Sequence, residues 1–133
     1  MIVADTDVLI DALRGRAPAA ERIELELETG GLATTAISAF ELRSGAKSED
    51  AAAAIEALLA AMMILPFDER AAERAARARR DLESSGTPIG MADYMIAGIC
   101  LAHSAILLTR NRRHFERVVG LALGRESPPR EGL

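Results

Sequence analysis

Three acidic residues lie at junctions between predicted elements: Asp5, Glu41 and Asp93. Asp5 follows the apolar residues 1–4, Glu41 lies just past a second apolar run, and Asp93 lies at the start of a strongly apolar helix. Carboxylates that converge on one pocket repel one another, which raises at least one pKa unless a divalent cation lies among them. Mg²⁺ suits such a pocket, because it takes oxygen ligands and combines one or two carboxylates with substrate phosphate. The chemistry that follows is hydrolysis of a phosphodiester bond.

Helix capping is a competing explanation for each of these residues. Ser38-x-x-Glu41 matches a capping box. Asp5 or Thr6 can cap the first helix, and Asp93 lies in a first helical turn, where negative charge is favoured. Taken singly, each residue is better explained by capping than by a metal. The presence of all three at such junctions is what favours the metal site.

Short apolar runs alternate with longer alanine-rich stretches, which is typical of a parallel sheet with helices on both faces. The predicted strands cover residues 2–4, 32–35, 62–65 and 106–108, with a weaker one at 118–123. The predicted helices cover residues 6–14, 18–28, 38–46, 49–61, 69–84, 91–104 and 111–117. We therefore predict an α/β fold with a central parallel β-sheet of four to five strands flanked by α-helices. Asp5 would then point into the crevice beyond the carboxyl ends of the strands, where such folds bind ligands.

The composition predicts a single domain. A chain of 133 residues that is 50% hydrophobic can bury a sizeable core. We assign residues 1–124 to this domain and residues 125–133, which lack a periodic apolar pattern, to a mobile tail. A single cysteine, Cys100, excludes an internal disulfide and a thiolate zinc site. No apolar stretch reaches the roughly 18 residues of a membrane span and no export signal is evident, so we expect a cytoplasmic protein without membrane contact.

The charge distribution limits how nucleic acid can bind. A net charge of −4 does not attract it, and with 3% aromatic residues stacking is not the main contact. Arginine forks suit phosphate, and two groups are candidates: Arg110, Arg112, Arg113 and Arg117 beside a predicted strand end, and Arg70, Arg74, Arg77 and Arg80 on a predicted helix. The second group is at least as well explained as a solvated helix face, because acidic residues are interleaved with it.

Four motifs occur in order along the chain: DTDVLID at 5–11, ELRSG at 41–45, P-x-x-x-x-D-x-x-I-A at 88–97 and LTRN-x-x-HF at 108–115. Together they resemble the PIN-domain ribonucleases, specifically the VapC-type toxins of VapBC toxin-antitoxin systems. The resemblance extends from residue 1 to about residue 123, and the combination is far more specific than any single motif.

The resemblance implies ligands, a substrate and partners. Asp5, Glu41 and Asp93 would be catalytic and would hold Mg²⁺, or Mn²⁺ in its place. The substrate would be RNA, often tRNA or rRNA, cut to 5′-phosphate and 3′-hydroxyl products. The partners would be a VapB-like antitoxin, whose C-terminal segment covers the site, and a second copy in a homodimer. Alanine-rich faces near residues 51–61 or 71–78 are candidates for the contact between copies.

Asn111 departs from the family pattern, because many members carry a fourth acid at this position. An amide can coordinate a metal or orient water, but it adds no negative charge. The resemblance therefore supports one metal site better than two, and capping of the following helix explains Asn111 equally well.

Other polar residues near the same strand ends are candidates for binding substrate: Thr6, Thr109, Arg110 and Arg112. The threonine hydroxyls would lie near phosphate, although local capping explains them at least as well. Arg110 or Arg112 would hold backbone phosphate, which positions RNA without selecting its sequence. His114 is expected to contact RNA or to pack, rather than to act as a general base.

Two other functions are compatible with parts of the sequence. Asp5-x-Asp7 after an apolar strand resembles the nucleophile and acid of haloacid-dehalogenase-like phosphatases, but Leu9 is atypical of that motif and Lys47 is a poorly placed lysine. A non-catalytic binding module, whose acidic pocket accepts an arginine or lysine of a partner, is the second alternative. It overlaps with the toxin hypothesis, because an antitoxin would bind in the same pocket.

Overall fold

A computed structural model of the chain describes residues 1–128. The strands are β1 (Ile2–Ala4), β2 (Leu32–Thr35), β3 (Met63–Leu65), β4 (Ile106–Leu108) and β5 (Ala122–Leu123). The helices are α1 (Thr6–Leu13), α2 (Ala19–Thr29), α3 (Ala36–Ser44), α4 (Glu49–Ala60), α5 (Glu69–Ser84), α6 (Met91–Ala102) and α7 (Arg112–Phe115). The strands pair in parallel in the order β3-β2-β1-β4-β5. The predicted fold class is thus confirmed.

Apolar side chains are buried on both faces of the sheet, which explains why its strands appear in the sequence as nearly continuous apolar runs. On one face, helices α1 to α4 surround a core that contains Leu9 and Ile23. On the other face, α5, α6 and α7 cover a core that contains Ile99 and Phe115. No helix among residues 1–128 is long and apolar enough to cross a membrane.

Helix α3 begins two residues earlier than the sequence predicts, and this changes the role of Glu41. Thr35 is the N-cap, and its hydroxyl oxygen accepts a hydrogen bond from the backbone N–H of Ser38 at 3.0 Å. Ser38 therefore lies inside the helix, and the predicted capping box of Ser38 and Glu41 is wrong. Capping no longer explains the carboxylate of Glu41.

Helices α5 and α6 approach closely because small residues face one another. Ala71, Ala75 and Ala78 of α5 are buried, and Gly98 of α6 lies against them. A Cβ added at Gly98 would meet the carbonyl oxygen of Ala71 and would lie 2.7 Å from the Ala75 Cβ. Helix α6 thus covers the inner alanine face of residues 71–78, so Ala71, Ala75 and Ala78 do not contact a second copy, and the placement of the dimer contact stays a prediction.

We expect Gly98→Ala to lower the free energy of unfolding by about 1–3 kcal/mol, because the added methyl group forces two packed helices apart. Urea unfolding followed by circular dichroism measures the change. Gly31→Ala is the matched control, since a Cβ there would meet only Thr29 Oγ1, at 3.8 Å. Equal unfolding midpoints for the two variants would contradict the close packing of α5 and α6.

The chain beyond β5 lies partly within the described residues. The weak apolar run at 118–123 yields only the two-residue strand β5. The backbone carbonyls of Arg125 and Ser127 accept hydrogen bonds from Arg22 of α2, at 3.0 and 3.2 Å. The assignment of residues 125–133 to a mobile tail stays a prediction, and residues 129–133 lie outside the described part of the chain.

Candidate active site

The strand order creates a crevice between the carboxyl ends of β1 and β4. The chain passes from β1 to β2 and β3 on one side and resumes at β4 on the other side of β1. Open α/β sheets bind ligands at such a reversal. Asp5 follows β1 and Thr109 follows β4, and the Thr109 hydroxyl donates a hydrogen bond to Asp5 Oδ2 at 2.7 Å. A carboxylate therefore lies where this topology favours a ligand.

Asp5 has an unusual protonation equilibrium. Its side chain is buried, with 6% of the residue exposed, and this burial, together with the nearby charges of Asp7 and Asp93, raises its pKa to about 7. Two hydrogen bonds oppose the shift: the backbone N–H of Thr6 donates to Oδ1 at 2.8 Å, and Thr109 donates to Oδ2. A cation beside Asp5 would restore the charged form, so the carboxylate is suited to bind a metal.

Thr6 connects Asp5 to Glu41. Its hydroxyl donates to Glu41 Oε1 at 2.8 Å and lies 2.9 Å from the hydroxyl oxygen of Ser38. The backbone N–H of the same residue holds Asp5. Thr6, the first residue of α1, therefore fixes two of the three predicted carboxylates relative to each other by reaching Glu41 of α3.

Asn111 connects Asp5 to Asp93 on the other side of the crevice. Its backbone N–H donates to Thr109 Oγ1 at 3.0 Å, and its side-chain amide donates to Asp93 Oδ2 at 3.4 Å. Although Asn111 occupies the N-cap position of α7, its side chain makes no capping bond to a described residue. The capping explanation for the Asn111 side chain is therefore wrong, and this side chain orients Asp93 instead.

His114 lies closer to the site than its sequence context indicates. Its Nδ1 is 3.0 Å from Asn111 Nδ2 and 3.6 Å from Asp93 Oδ2. The spacing of three residues between Asn111 and His114 indicates that their side chains lie close together, because residues three apart face the same side of a helical turn. His114 thus belongs to the group around Asp93.

The two candidate phosphate-binding arginines lie at the outer side of the crevice. The backbone N–H of Arg110 donates to the Asp7 carboxylate at 3.1 Å, and its Nε lies 3.1 Å from Asp11 Oδ2. Burial raises the pKa of Asp7, whereas the bond from Arg110 opposes the shift. The guanidinium of Arg112 donates to the carbonyl oxygen of Gly124 at 2.6 Å. Both arginine side chains already have partners within the chain.

A divalent cation fits the chemistry of these donors. Mg²⁺ and similar ions take carboxylate oxygens, and Mg²⁺ needs only one or two carboxylates beside water and substrate phosphate. Within residues 1–128, no three His, Cys, Asp or Glu side chains are placed closely enough to enclose an ion. Asp93 is connected to Asp5 through Asn111 and Thr109, so these two residues are favoured as direct ligands. Glu41, held by Thr6, lies at the opposite side.

Comparison with known proteins identifies the family. The PIN domain family matches residues 2–121. The chain belongs to the PIN-domain family. It is 33% identical over 121 residues to the tRNA(fMet)-specific endonuclease VapC of Shigella flexneri, covering 88% of this chain and 91% of that relative. It is also 37% identical over 117 residues to ribonuclease VapC19 of Mycobacterium tuberculosis, covering 86% and 92%. The resemblance to VapC-type PIN-domain ribonucleases is thus confirmed.

Solved structures agree with this assignment. The PIN domain superposes with a TM-score of 0.86 on a chain of DNA-bound VapBC from Salmonella typhimurium, at 30% identity over 94% of this chain and 97% of that one. It superposes with a TM-score of 0.85 on a chain of VapBC2 from Rickettsia felis bound to a promoter DNA fragment, at 26% identity over 94% and 98%. Nucleases of this family generally depend on a divalent metal. The phosphatase alternative is wrong, because the PIN domain family matches residues 2–121, nearly the whole chain.

Thr109→Val should weaken divalent metal binding about 10- to 100-fold, because the isosteric change removes the donor that orients Asp5. Titration of the PIN domain with Mn²⁺, followed calorimetrically, measures the affinity. Thr34→Val is the matched control: Thr34 is equally buried, but its hydroxyl donates to the carbonyl oxygen of Ala4 at 2.8 Å and not to a site carboxylate. Unchanged affinity in Thr109→Val would show that the hydrogen bond to Asp5 does not support the metal.

Proposed function

We propose that Asp5, Glu41 and Asp93 form the catalytic metal site of this VapC-type ribonuclease, with Asp5 and Asp93 as direct ligands and Glu41 connected to Asp5 through Thr6. The proposed ion is Mg²⁺, with Mn²⁺ as a substitute, and the proposed reaction is hydrolysis of phosphodiester bonds in structured RNA such as tRNA or rRNA. The proposal rests mainly on one observation: hydrogen bonds through Thr6 and the segment from Thr109 to Asn111 join all three carboxylates around the crevice between β1 and β4.

The carboxylates and the residues that hold them have different roles in the proposed reaction. A divalent ion bound to these carboxylates would polarise the scissile phosphate and lower the pKa of water. Thr109 and the N–H of Thr6 hold Asp5 in one orientation, and the Asn111 amide holds Asp93. Because these groups are already hydrogen bonded, little reorganisation of the protein is needed when substrate arrives.

Arg110 and Arg112 are proposed to hold the RNA backbone. Both lie on the segment that follows β4, next to Thr109, and the Arg110 side chain is 51% exposed. Each guanidinium has five N–H donors, so the bonds to Asp11 and Gly124 leave others for phosphate. These contacts would place the RNA against the site without reading its bases.

We also propose a VapB-like antitoxin, a homodimer and a cytoplasmic location. The structural neighbours named VapBC are complexes of a toxin with its antitoxin, and the buried Asp5 and its acidic neighbours would accept a basic side chain as readily as a metal. The antitoxin would then inhibit by occupying the crevice.

The experiment that tests this function uses purified protein freed of any partner. Total RNA is incubated with Mg²⁺, Mn²⁺ or EDTA, and a purified tRNA mixture serves as a second substrate. Discrete products that require metal, with 5′-phosphate ends, are expected. Products of equal yield in EDTA would contradict metal-dependent hydrolysis, and binding of tRNA without any cleavage in either metal would favour a binding module.

A further inference from the structure

A cavity of about 600 Å³ lies between α5, α6 and the segment that follows α7. Its buried lining residues are apolar: Ala78, Leu82, Cys100, Ala105 and Val118. Ala105 directly precedes β4, and Ala122, which also lines the cavity, begins β5. The cavity therefore lies beside the amino ends of these strands, whereas the candidate active site lies at the carboxyl ends of β1 and β4. The described residues that line it do not include Asp5, Glu41 or Asp93.

The cavity is positively charged. Three arginines line it: Arg74 and Arg77 of α5, and Arg117, which follows α7. Among the described residues of the lining, Asp81 is the only acidic one. Three positive charges and one negative charge give the lining a formal charge of +2, whereas the whole chain has a net charge of −4. An anion is therefore attracted to this cavity, although the molecule as a whole repels it.

The acidic residues interleaved along α5 do not neutralise its two cavity arginines. In the part of the chain that the structure describes, no ion pair includes Arg74 or Arg77. Glu83 pairs instead with Arg79, at 2.9 Å. Arg74 and Arg77 are three positions apart, so their side chains are neighbours on one helical face and their like charges repel. A bound anion would remove this repulsion.

Arg117 is held in place by the backbone of another segment. Its Nη1 donates to the carbonyl oxygen of Pro88 at 3.1 Å, and the residue is only partly exposed. A guanidinium has five N–H donors in one rigid plane, so the bond to Pro88 leaves others for a ligand. Arg117 thus supplies an oriented donor, whereas Arg74 and Arg77 are exposed and can adjust to the ligand.

The combination of arginines and apolar surface restricts the class of ligand. Guanidinium groups bind phosphate through pairs of parallel hydrogen bonds. Leu82 and Val118 are buried and Leu101 is partly buried, so the lining also offers apolar contacts. A volume of about 600 Å³ is in the range of pockets that enclose small ligands. A nucleotide combines a phosphate group with a base that has two apolar faces, and it matches both parts of the lining.

We propose that this cavity binds a free nucleotide. Arg74, Arg77 and Arg117 donate hydrogen bonds to its phosphate group, and the apolar lining contacts its base. The nucleotide site is separate from the crevice between β1 and β4, and the proposed cleavage of RNA does not pass through it.

The test is calorimetric titration of the purified protein with adenosine 5′-monophosphate (AMP) in EDTA, which prevents a metal in the crevice from binding the phosphate. Arg74→Gln and Arg77→Gln should each weaken binding about five- to tenfold, as expected for loss of one partly exposed charge-assisted hydrogen bond. Arg80→Gln is the matched control, since it makes the same charge change at an exposed position of α5 outside the cavity lining. Equal weakening in Arg80→Gln, or no binding of AMP by the original protein, overturns the proposal.

Adenosine and inorganic phosphate test the two parts of the ligand separately. Both should bind more weakly than AMP, because the arginines contact only the phosphate and the apolar residues contact only the base. Adenosine or inorganic phosphate that binds as tightly as AMP contradicts a nucleotide site. A short RNA oligonucleotide that binds more tightly than AMP, through the same arginines, contradicts a free nucleotide as the ligand.

Ala122→Phe tests the location of the ligand without changing a charge. Ala122 is an exposed lining residue, and a phenylalanine there fills part of the cavity and should weaken AMP binding. Unchanged affinity in a folded Ala122→Phe variant would place the nucleotide elsewhere and overturn the proposal. Because every titration contains EDTA, these results do not depend on metal binding or RNA cleavage at the crevice.

Discussion

Replacement of Asp5 by asparagine will reduce metal-dependent RNA cleavage by about three orders of magnitude, equivalent to about 4 kcal/mol of transition-state stabilisation. Asp5 is the buried carboxylate of the crevice, and asparagine has nearly the same shape but no charge to hold a cation. The rate of product formation from a tRNA mixture at saturating Mn²⁺ measures the loss.

The asparagine variant must remain folded for this result to have meaning. Its amide oxygen can still accept the hydrogen bond from the Thr109 hydroxyl, so the far-ultraviolet circular dichroism spectrum should not change. Asp81→Asn, an exposed position on α5, is the matched control and should cleave at the original rate. A folded Asp5→Asn variant whose cleavage rate is within tenfold of the original rate would show that Asp5 is not a catalytic residue.

Metal affinity will fall about tenfold for each pH unit below 7 and will level off above it. The pKa of Asp5 is raised from 3.8 to about 7, and a carboxyl group must lose its proton before it can bind a metal. Calorimetric titration with Mn²⁺ between pH 5.5 and 8.5 measures the affinity. Comparison of buffers with different ionisation enthalpies measures the proton released. Affinity that is constant from pH 5.5 to 7 would contradict a protonated Asp5 in the metal-free protein.

The same pKa makes the metal-free protein less stable as pH rises. Because Asp5 binds its proton more tightly in the folded than in the unfolded chain, folding is favoured below pH 3.8, and this contribution is lost as pH rises to about 7. The loss is on the order of 4 kcal/mol for this group alone. Asp5→Asn should lack this contribution to the pH dependence. At pH 8, added metal should stabilise the original protein and not the variant.

The sequence predicted the central strands well, because residues such as Val3 and Leu107 are buried between two layers of helices and cannot be polar. The start of α3 was less predictable. Ser38 and Glu41 have the spacing of a capping box, but Thr35, three residues before Ser38, captured the backbone N–H that the box requires. Thr35 and Glu41 can both accept a hydrogen bond from the backbone N–H of Ser38, and the sequence does not reveal which of them does.

The residues of the candidate site could be predicted from the sequence, but the hydrogen bonds that join them could not. Asp5, Glu41 and Asp93 could be selected from their positions at element junctions and from the motifs. The bonds that join them span 35 positions between Thr6 and Glu41 and 104 between Asp5 and Thr109. Contacts at such separations depend on strand order.

Two further contacts were not predicted, because each joins residues that are distant in the sequence. His114 was expected to contact RNA or to pack, but α7 places it beside Asp93. The segment after β5 has no periodic pattern, and it contacts α2 because Arg22 donates to the carbonyls of Arg125 and Ser127. The three-residue spacing of Asn111 and His114 is a local signal for the first arrangement, whereas the second has no local signal in the sequence.

The contact of Gly98 with α5 has a consequence for genetic screens. Asp93 and Gly98 lie on the same helix, five positions apart, and the close approach to Ala71 and Ala75 sets how far α6 can shift against the rest of the protein. In a screen for variants that no longer cleave RNA, Gly98 should be recovered together with the carboxylates. A residue with no side chain would then score as if it were catalytic, although it acts only by keeping Asp93 in register.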